Sequence, residues 1–199
     1  MMDDVSRETM ERLELYAALL KKWNPRINLV SKSTIPELWT RHFLDSAQIF
    51  DLYDDPDGGW LDIGSGGGFP GLVVAILAAE KAPTTRVTLV ESDRRKATFL
   101  RQVVRETGIS AQVLDCRIQE LAPQGASTIS ARALADLSSL CAFAAQHLSS
   151  GGTALFPKGA TWEKEVSEAQ KLWRFDLEAT KSVTDPAAVI LKLREIARV

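Results

Sequence analysis

The stretch Trp60-Leu61-Asp62-Ile63-Gly64-Ser65-Gly66-Gly67-Gly68-Phe69-Pro70-Gly71 decides the fold of this chain. Trp60 to Ile63 is a short apolar run of the kind that forms a buried strand, and Leu72 to Ala79 is apolar enough for a buried helix. Five of the eight residues from Gly64 to Gly71 are glycine. A strand, a glycine turn and a helix start together make a pocket for a polar or anionic ligand. Glycine lets the backbone approach closely, and the helix N-terminus offers unpaired N–H groups. Pro70 suits the first helical turn, where its missing N–H costs nothing.

Two ligand classes use such a turn. A dinucleotide pocket wants G-x-G-x-x-G as the strand ends. Counted from Gly64, the third glycine falls on Phe69, and the literal match at Gly66, Gly68 and Gly71 starts late with Pro70 inside it. The spacing Asp62, Gly64, Gly66, Gly68 instead resembles the first motif of S-adenosylmethionine (SAM) methyltransferases. An acid at Asp62 suits the ammonium of that ligand and would repel a pyrophosphate.

Outward from this stretch the chain divides into two parts. Residues 5–24 carry apolar positions at helical spacing (Met10, Leu13, Ala17, Leu20), and Pro25 is expected to end that helix. Thr34 and Pro36 predict the cap and start of a second helix, apolar on one face to about Leu52. The loop Asp54 to Gly59 is the expected boundary: 1–55 as an N-terminal helical extension and 56–199 as the core, in a single domain spanning 1–199. From Trp60 onward strands and helices alternate, as in a parallel α/β sheet. Strands are expected at 86–90, 111–114, 128–131 and 153–156, with two more candidates at 175–179 and 188–193. Helices are expected at 93–107, at 137–148 with Gly151-Gly152 as its stop, and from Trp162 to Trp173.

Composition sets bounds on function. The net charge of −2 gives no overall affinity for nucleic acid, so any such contact needs a local basic patch. Cys116 and Cys141 lie far apart, and there are two histidines; no zinc spacing is visible, so no metal is expected. The absence of a signal peptide and of a membrane-length apolar run leads to the expectation of a cytoplasmic protein that does not engage a membrane.

Further candidates fall at strand ends, where ligands bind in open α/β sheets. Glu91 follows Leu89-Val90 and can accept both hydroxyls of a ribose. Backbone groups of Ile118 and Gln119, after the third strand, are placed to read an adenine edge, and Arg132 follows the fourth. For RNA contact, Lys21, Lys22, Arg26, Lys32 and Arg41 give the segment 21–45 a net positive charge. Arg94 and Arg95 open a second basic cluster that continues to Arg105. Trp23, Trp39 and Phe43 among the first group read more readily as core than as stacking platforms.

The run Arg41-His42-Phe43-Leu44-Asp45-Ser46, Lys22-Trp23-Asn24, Asn28-Leu29-Val30, the loop through Phe69-Pro70-Gly71, Ala131-Arg132-Ala133 and Pro157-Lys158-Gly159 together resemble the RsmG (GidB) family of bacterial small-subunit rRNA guanine-N7 methyltransferases. The resemblance implies a Rossmann-like class I methyltransferase fold, α/β with a seven-stranded, mostly parallel sheet whose last strand is antiparallel. It implies SAM as donor and, as partner and acceptor, a guanine N7 in the decoding-region loop of 16S rRNA in the small ribosomal subunit; a monomer is expected. By position it assigns SAM contacts to Gly64, Phe69, Ile118, Gln119 and Arg132, and the acidic strand-end position to Glu91; Asp62, Ser65 and Gly66 complete the candidate cofactor set. His42, Asp45 and Lys158 fall in family motifs near the cleft and are the catalytic candidates, without assigned roles. Many relatives carry Arg-His before the last strand, where this chain has Ala187-Ala188.

N7 methylation needs no general base, because N7 has an in-plane lone pair and no proton. The chain also lacks the Pro-Pro motif of amine methylation, and neither cysteine follows a proline, as pyrimidine C5 chemistry usually has it. Two other readings stay open on the sequence: a nicotinamide-dependent oxidoreductase, carried by the glycine loop and Glu91, and a non-catalytic ribosome-binding module.

Overall fold

The computed structural model describes residues 4–55 and 57–199. Pro56, in the loop expected at the boundary, and Met1 to Asp3 lie outside the described residues. Seven strands form one sheet: β1 (Gly59–Ile63), β2 (Arg86–Val90), β3 (Ala111–Leu114), β4 (Ala126–Ser130), β5 (Leu148–Lys158), β6 (Trp173–Lys181) and β7 (Val189–Arg198). Their order is β3-β2-β1-β4-β5-β7-β6, and β7 runs opposite in direction to the other six. The order reverses beside β1, so the loop after β1 opens at a topological switch point.

Alternation along β1 sorts its side chains by face. Trp60 packs with α3 (Gly71–Lys81), α4 (Arg94–Thr107) and the N-terminal helix α1 (Arg7–Ile27). Leu61 and Ile63 pack with α5 (Leu137–His147) and α6 (Trp162–Ala169) on the other face. A strand buried on both faces reads as a continuous apolar run, which is why Trp60 to Ile63 was legible. Within that run Asp62 is the exception, and it is fully buried.

The N-terminal segment shares the first of these cores. Tyr16 of α1 is fully buried, stacks on Phe69 with ring centroids 5.3 Å apart, and donates its hydroxyl to Gly67 O at 2.6 Å. Trp23 lies against Phe99 of α4, and Trp39 against the buried Phe43, so these aromatics serve as core.

Several expected boundaries shift. Pro25 does not end α1, which continues to Ile27 and stops where Asn28 turns left-handed (φ 49°). The Asn24 carboxamide oxygen accepts the amides of Leu29 and Val30, fixing that exit. The second helix is broken into a 3-10 segment Lys32–Glu37, a π-helical segment Trp39–Leu44 and α2 (Asp45–Phe50). Thr34 lies inside the first segment and caps nothing; its hydroxyl serves His42 instead. Gly151-Gly152 does not stop a helix: α5 ends at His147, and β5 begins at Leu148 and runs through both glycines and Pro157. Pro157 is tolerated in that strand although strand interiors normally exclude it. The helix from Trp162 ends at Ala169, and Trp173 instead opens β6.

Gly71 shows how tightly α3 meets the sheet. A Cβ there would collide with Leu89 Cδ2 and lie 2.6 Å from Asp62 Oδ2. Overpacking of this kind costs about 1–3 kcal/mol. Gly71→Ala is therefore expected to lower the unfolding free energy in urea by about 3 kcal/mol, with an unchanged midpoint as the contrary result.

Candidate active site

The strand ends and the N-terminal segment enclose a cavity of about 810 Å³. Gly64, Ser65, Gly66 and Phe69 line it from the glycine loop, Glu91 from the end of β2, Arg132 from the end of β4 and Lys158 from the end of β5. Arg41, His42 and Asp45 close it from the N-terminal side, and the β6–β7 loop adds Thr184 and Asp185.

Backbone geometry explains the glycines. Gly64, Gly66 and Gly68 have φ of 65°, 55° and 99°, which other L residues rarely adopt. Gly67 sits against the backbone of Leu29, where a Cβ would lie 2.9 Å from the carbonyl oxygen. Leu29 and Val30, both buried in the first core, cover the loop and line the cavity.

Glu91 is buried and held by two amides. Gly66 N–H donates to Oε2 at 2.7 Å and Asp93 N–H to Oε1 at 2.8 Å. Each oxygen keeps a lone pair, so the carboxylate can still accept two hydroxyl protons.

Arg132 is the hub of the cavity wall. Its Nη1 donates to Asp45 Oδ2 at 3.2 Å and Arg41 O at 3.1 Å, and its guanidinium carbon lies 5.0 Å from the centre of the Phe69 ring. Its Nη2 donates to His42 Nδ1 at 2.7 Å. A guanidinium only donates, so Nδ1 accepts and the ring proton sits on Nε2. From there it is donated to Thr34 Oγ1 at 2.8 Å, whose own hydrogen goes to Ser31 O. His42 is thus a neutral ring with both nitrogens engaged. The π-helical segment aims Arg41 and His42 this way, a use of extra-residue turns seen often at functional sites.

Two catalytic candidates are committed to neighbours. Asp45 uses Oδ2 for Arg132, and Oδ1 accepts from Gln48 Nε2 at 3.0 Å and Thr184 Oγ1 at 2.8 Å. Lys158, its side chain 9% exposed, donates to Glu165 Oε2 at 2.7 Å and Ala135 O at 2.9 Å.

Some sequence candidates lie outside the cavity wall. Asp62 is sealed beneath the loop: Oδ1 accepts from Ser130 Oγ at 2.7 Å, and Ser130 Oγ accepts from Trp60 Nε1 at 2.8 Å. Its Oδ2 has no complete hydrogen bond among the described residues, although the Gly71 amide helps to hold its charge. Asp62 is therefore placed to shape the loop, whereas the sequence reading had it meet a ligand ammonium. Ile118 and Gln119 form one 3-10 turn after β3 and are not part of the lining; Ile118 O faces the buried His147 Nε2 at 3.3 Å. Of the basic residues, Arg41 lines the cavity and is exposed, and Lys96 joins it there. Lys21, Lys22, Arg26, Lys32, Arg94 and Arg95 are all exposed outside it, Arg95 in a surface ion pair with Asp93. Tyr16, Gln48 and Thr184 were not foreseen; on the sequence Tyr16 is one more apolar-face residue of α1, and the other two are polar residues with no motif.

Two buried groups titrate in opposite senses. Burial, with Arg132 and Arg41 nearby, lowers His42 from 6.5 to about 4. The unfolded chain then binds more protons, so this contribution is present above pH 6.5 and is lost as pH falls through 4. Burial raises Asp62 from 3.8 to about 6, against the Ser130 hydrogen bond. Its contribution is present below pH 3.8 and is lost as pH rises through 6. Asp62→Asn removes only the second effect. Its stability relative to the wild type should climb between about pH 4 and 6 in urea unfolding; a constant difference would contradict the assignment.

Comparison with known proteins places this geometry. The sequence-family model described as rRNA small subunit methyltransferase G matches residues 9–192. The chain is 58% identical over 197 residues to a ribosomal RNA small subunit methyltransferase G of Ruegeria sp. (strain TM1040), covering 98% of this chain and 95% of that one. It is 56% identical to the protein of that name from Ruegeria pomeroyi, covering 98% and 96%. Among solved structures, the mitomycin 7-O-methyltransferase MmcR superposes with a TM-score of 0.63 at 16% identity, over 95% of this chain and 68% of that one. A putative SAM-dependent methyltransferase from Methanococcus maripaludis gives 0.60 at 11% identity, over 89% and 90%. These two share the fold, which is that of the class I SAM-dependent methyltransferases. With its family model matched from residue 9 to residue 192, the chain belongs to the rRNA small subunit methyltransferase G family.

Proposed function

We propose that this chain is a cytoplasmic, monomeric enzyme that transfers a methyl group from SAM to N7 of one guanine in the decoding-region loop of 16S rRNA. The observation that carries the reading is that Glu91 and the positive-φ Gly64 and Gly66 line the same cavity as the exposed Arg41. A nucleoside-recognising wall and a cationic mouth open into one space.

The residues fit SAM by their own chemistry. Gly64 and Gly66 leave the loop without side chains over the cavity, and Glu91 offers two oxygens to a ribose. Phe69 and Leu134 add apolar surface. SAM, when bound, supplies an electrophilic methyl on a sulfonium. The protein's task is then to hold donor and base in line. N7 loses no proton, so no base is required, and His42, neutral and doubly hydrogen-bonded, is suited to holding Arg132. Phe69 in place of a third glycine and the family membership weigh against a nicotinamide enzyme.

Calorimetric titration tests the donor: SAM should bind with one site per chain and NADH should not. NADH binding in preference to SAM would overturn the reading. The exposed Lys21, Lys22 and Arg26 at the end of α1 are proposed to contact RNA phosphates. Reversing all three charges should weaken small-subunit binding and reduce the slope of log K against log salt by about 2–3. An unchanged slope would remove this patch from the interface.

A further inference from the structure

Four carboxylates face the cavity from its described lining, and three are either ion-paired or anchored at both oxygens. Asp45 is paired with Arg132, Glu165 is paired with Lys158, and both oxygens of Glu91 are held by backbone amides. Asp185 differs. Its Oδ1 accepts the Ala187 amide at 2.9 Å; its Oδ2 has no hydrogen-bond partner, and the residue has no ion pair among the described residues. An unpaired carboxylate beside a cavity with Arg41 and Lys96 at its rim repels phosphate, so it is misplaced for backbone contact.

The loop that carries it is held with unusual care for a hairpin connection. Thr184 Oγ1 donates to Asp45 Oδ1, the carboxylate that pairs with Arg132. Gln48, buried on α2, accepts the Val183 amide at 2.9 Å and donates to Ser182 Oγ at 3.1 Å. These bonds tie residues 182–184 to the wall that positions Arg132. Side chains on such supported segments are pre-set for recognition rather than left to search.

We infer that Asp185 reads the acceptor base: its free oxygen, with the remaining lone pair of Oδ1, accepts N1–H and N2–H of the guanine. This rests on the methyltransferase reading above. The chemistry is specific. Guanine has its two Watson–Crick donors on the edge away from N7, so a carboxylate there selects guanine over adenine while N7 faces the donor. Position agrees: β7 lies four strands from β2 in the sheet order, roughly 19 Å at the usual strand spacing, which puts the loop before β7 on the far side of the cavity from Glu91. A single-stranded base turned into a pocket is normally read on this edge.

The test is methyl transfer from labelled SAM to small-subunit particles lacking the modification, reconstituted with guanine or with inosine at the acceptor position. Inosine keeps N7 and N1–H and lacks the N2 amine. For the wild type, inosine should reduce kcat/KM by about tenfold. For Asp185→Ala, kcat/KM on guanine should fall about tenfold to a hundredfold, inosine should add almost no further loss, and the Kd for SAM should stay within about twofold of the wild type. Asp185→Glu should recover part of the activity. Equal inosine penalties in wild type and Asp185→Ala, or wild-type kcat/KM in that variant, would overturn the assignment of Asp185 alone. No transfer by the wild type to either particle would overturn the methyltransferase reading, and this inference with it.

Discussion

Replacing Arg132 with alanine is expected to reduce kcat/KM for methyl transfer by about a hundredfold or more, because three wall elements lose their common partner. The guanidinium joins the Arg41 carbonyl, the His42 ring and the Asp45 carboxylate, and it covers Phe69 of the glycine loop. The side chains of Arg132 and Asp45 are only 18% and 19% exposed, so the orphaned carboxylate is poorly rehydrated. That leaves a folded variant less stable by about 1–3 kcal/mol. One further readout is specific to the hub. Arg132 is among the causes that hold His42 at about 4, so the His42 pKa should rise in the variant while burial keeps it below 6.5. Wild-type kinetics with an unmoved His42 would take Arg132 out of the site.

Replacing Glu91 with alanine is expected to weaken SAM binding by about a hundredfold, the loss of two hydrogen bonds to a charged acceptor at roughly 1.5 kcal/mol each. The same substitution frees the Gly66 and Asp93 amides, so the loop itself loses an anchor. Glu91→Gln keeps one acceptor oxygen and should lose about tenfold. S-adenosylhomocysteine should suffer as much as SAM, since the two share the ribose. Calorimetry on both ligands checks this, and an unchanged Kd for either variant would show that Glu91 does not meet the ribose.

The core of the fold was open to sequence reading because its elements are marked locally. β1 is a continuous apolar run, α4 has an apolar stripe with the Asp93 cap and Gly108 stop, and the glycine loop has a spacing that few other turns need. The errors fell where tertiary contacts override local signals. Pro25 is tolerated because it stands in the last turn of α1 and Asn24 fixes the exit. Gly151-Gly152 falls in the irregular stretch of β5 between the Ala126–Leu148 and Thr128–Thr153 pairs, so sheet pairing on either side, a non-local effect, sets its place. In the site, Glu91 and Arg132 follow apolar strands and could be placed by counting. The Arg132–His42–Thr34 chain could not, since its members are up to 98 positions apart and meet only through folding. The burial of Asp62 was hidden from the sequence for a related reason. A motif position shows which residue is required, and the burial that makes Asp62 a support of the loop appears only in three dimensions.

The most direct measurement is transfer of a labelled methyl group from SAM to small-subunit particles that lack the modification, followed by chain cleavage at 7-methylguanine. The expected result is label in 16S rRNA with a single cleavage, at one guanine of the decoding-region loop. Label that resists this cleavage, label in another RNA, or no transfer by a protein that binds SAM would contradict N7 methylation of 16S rRNA by this chain.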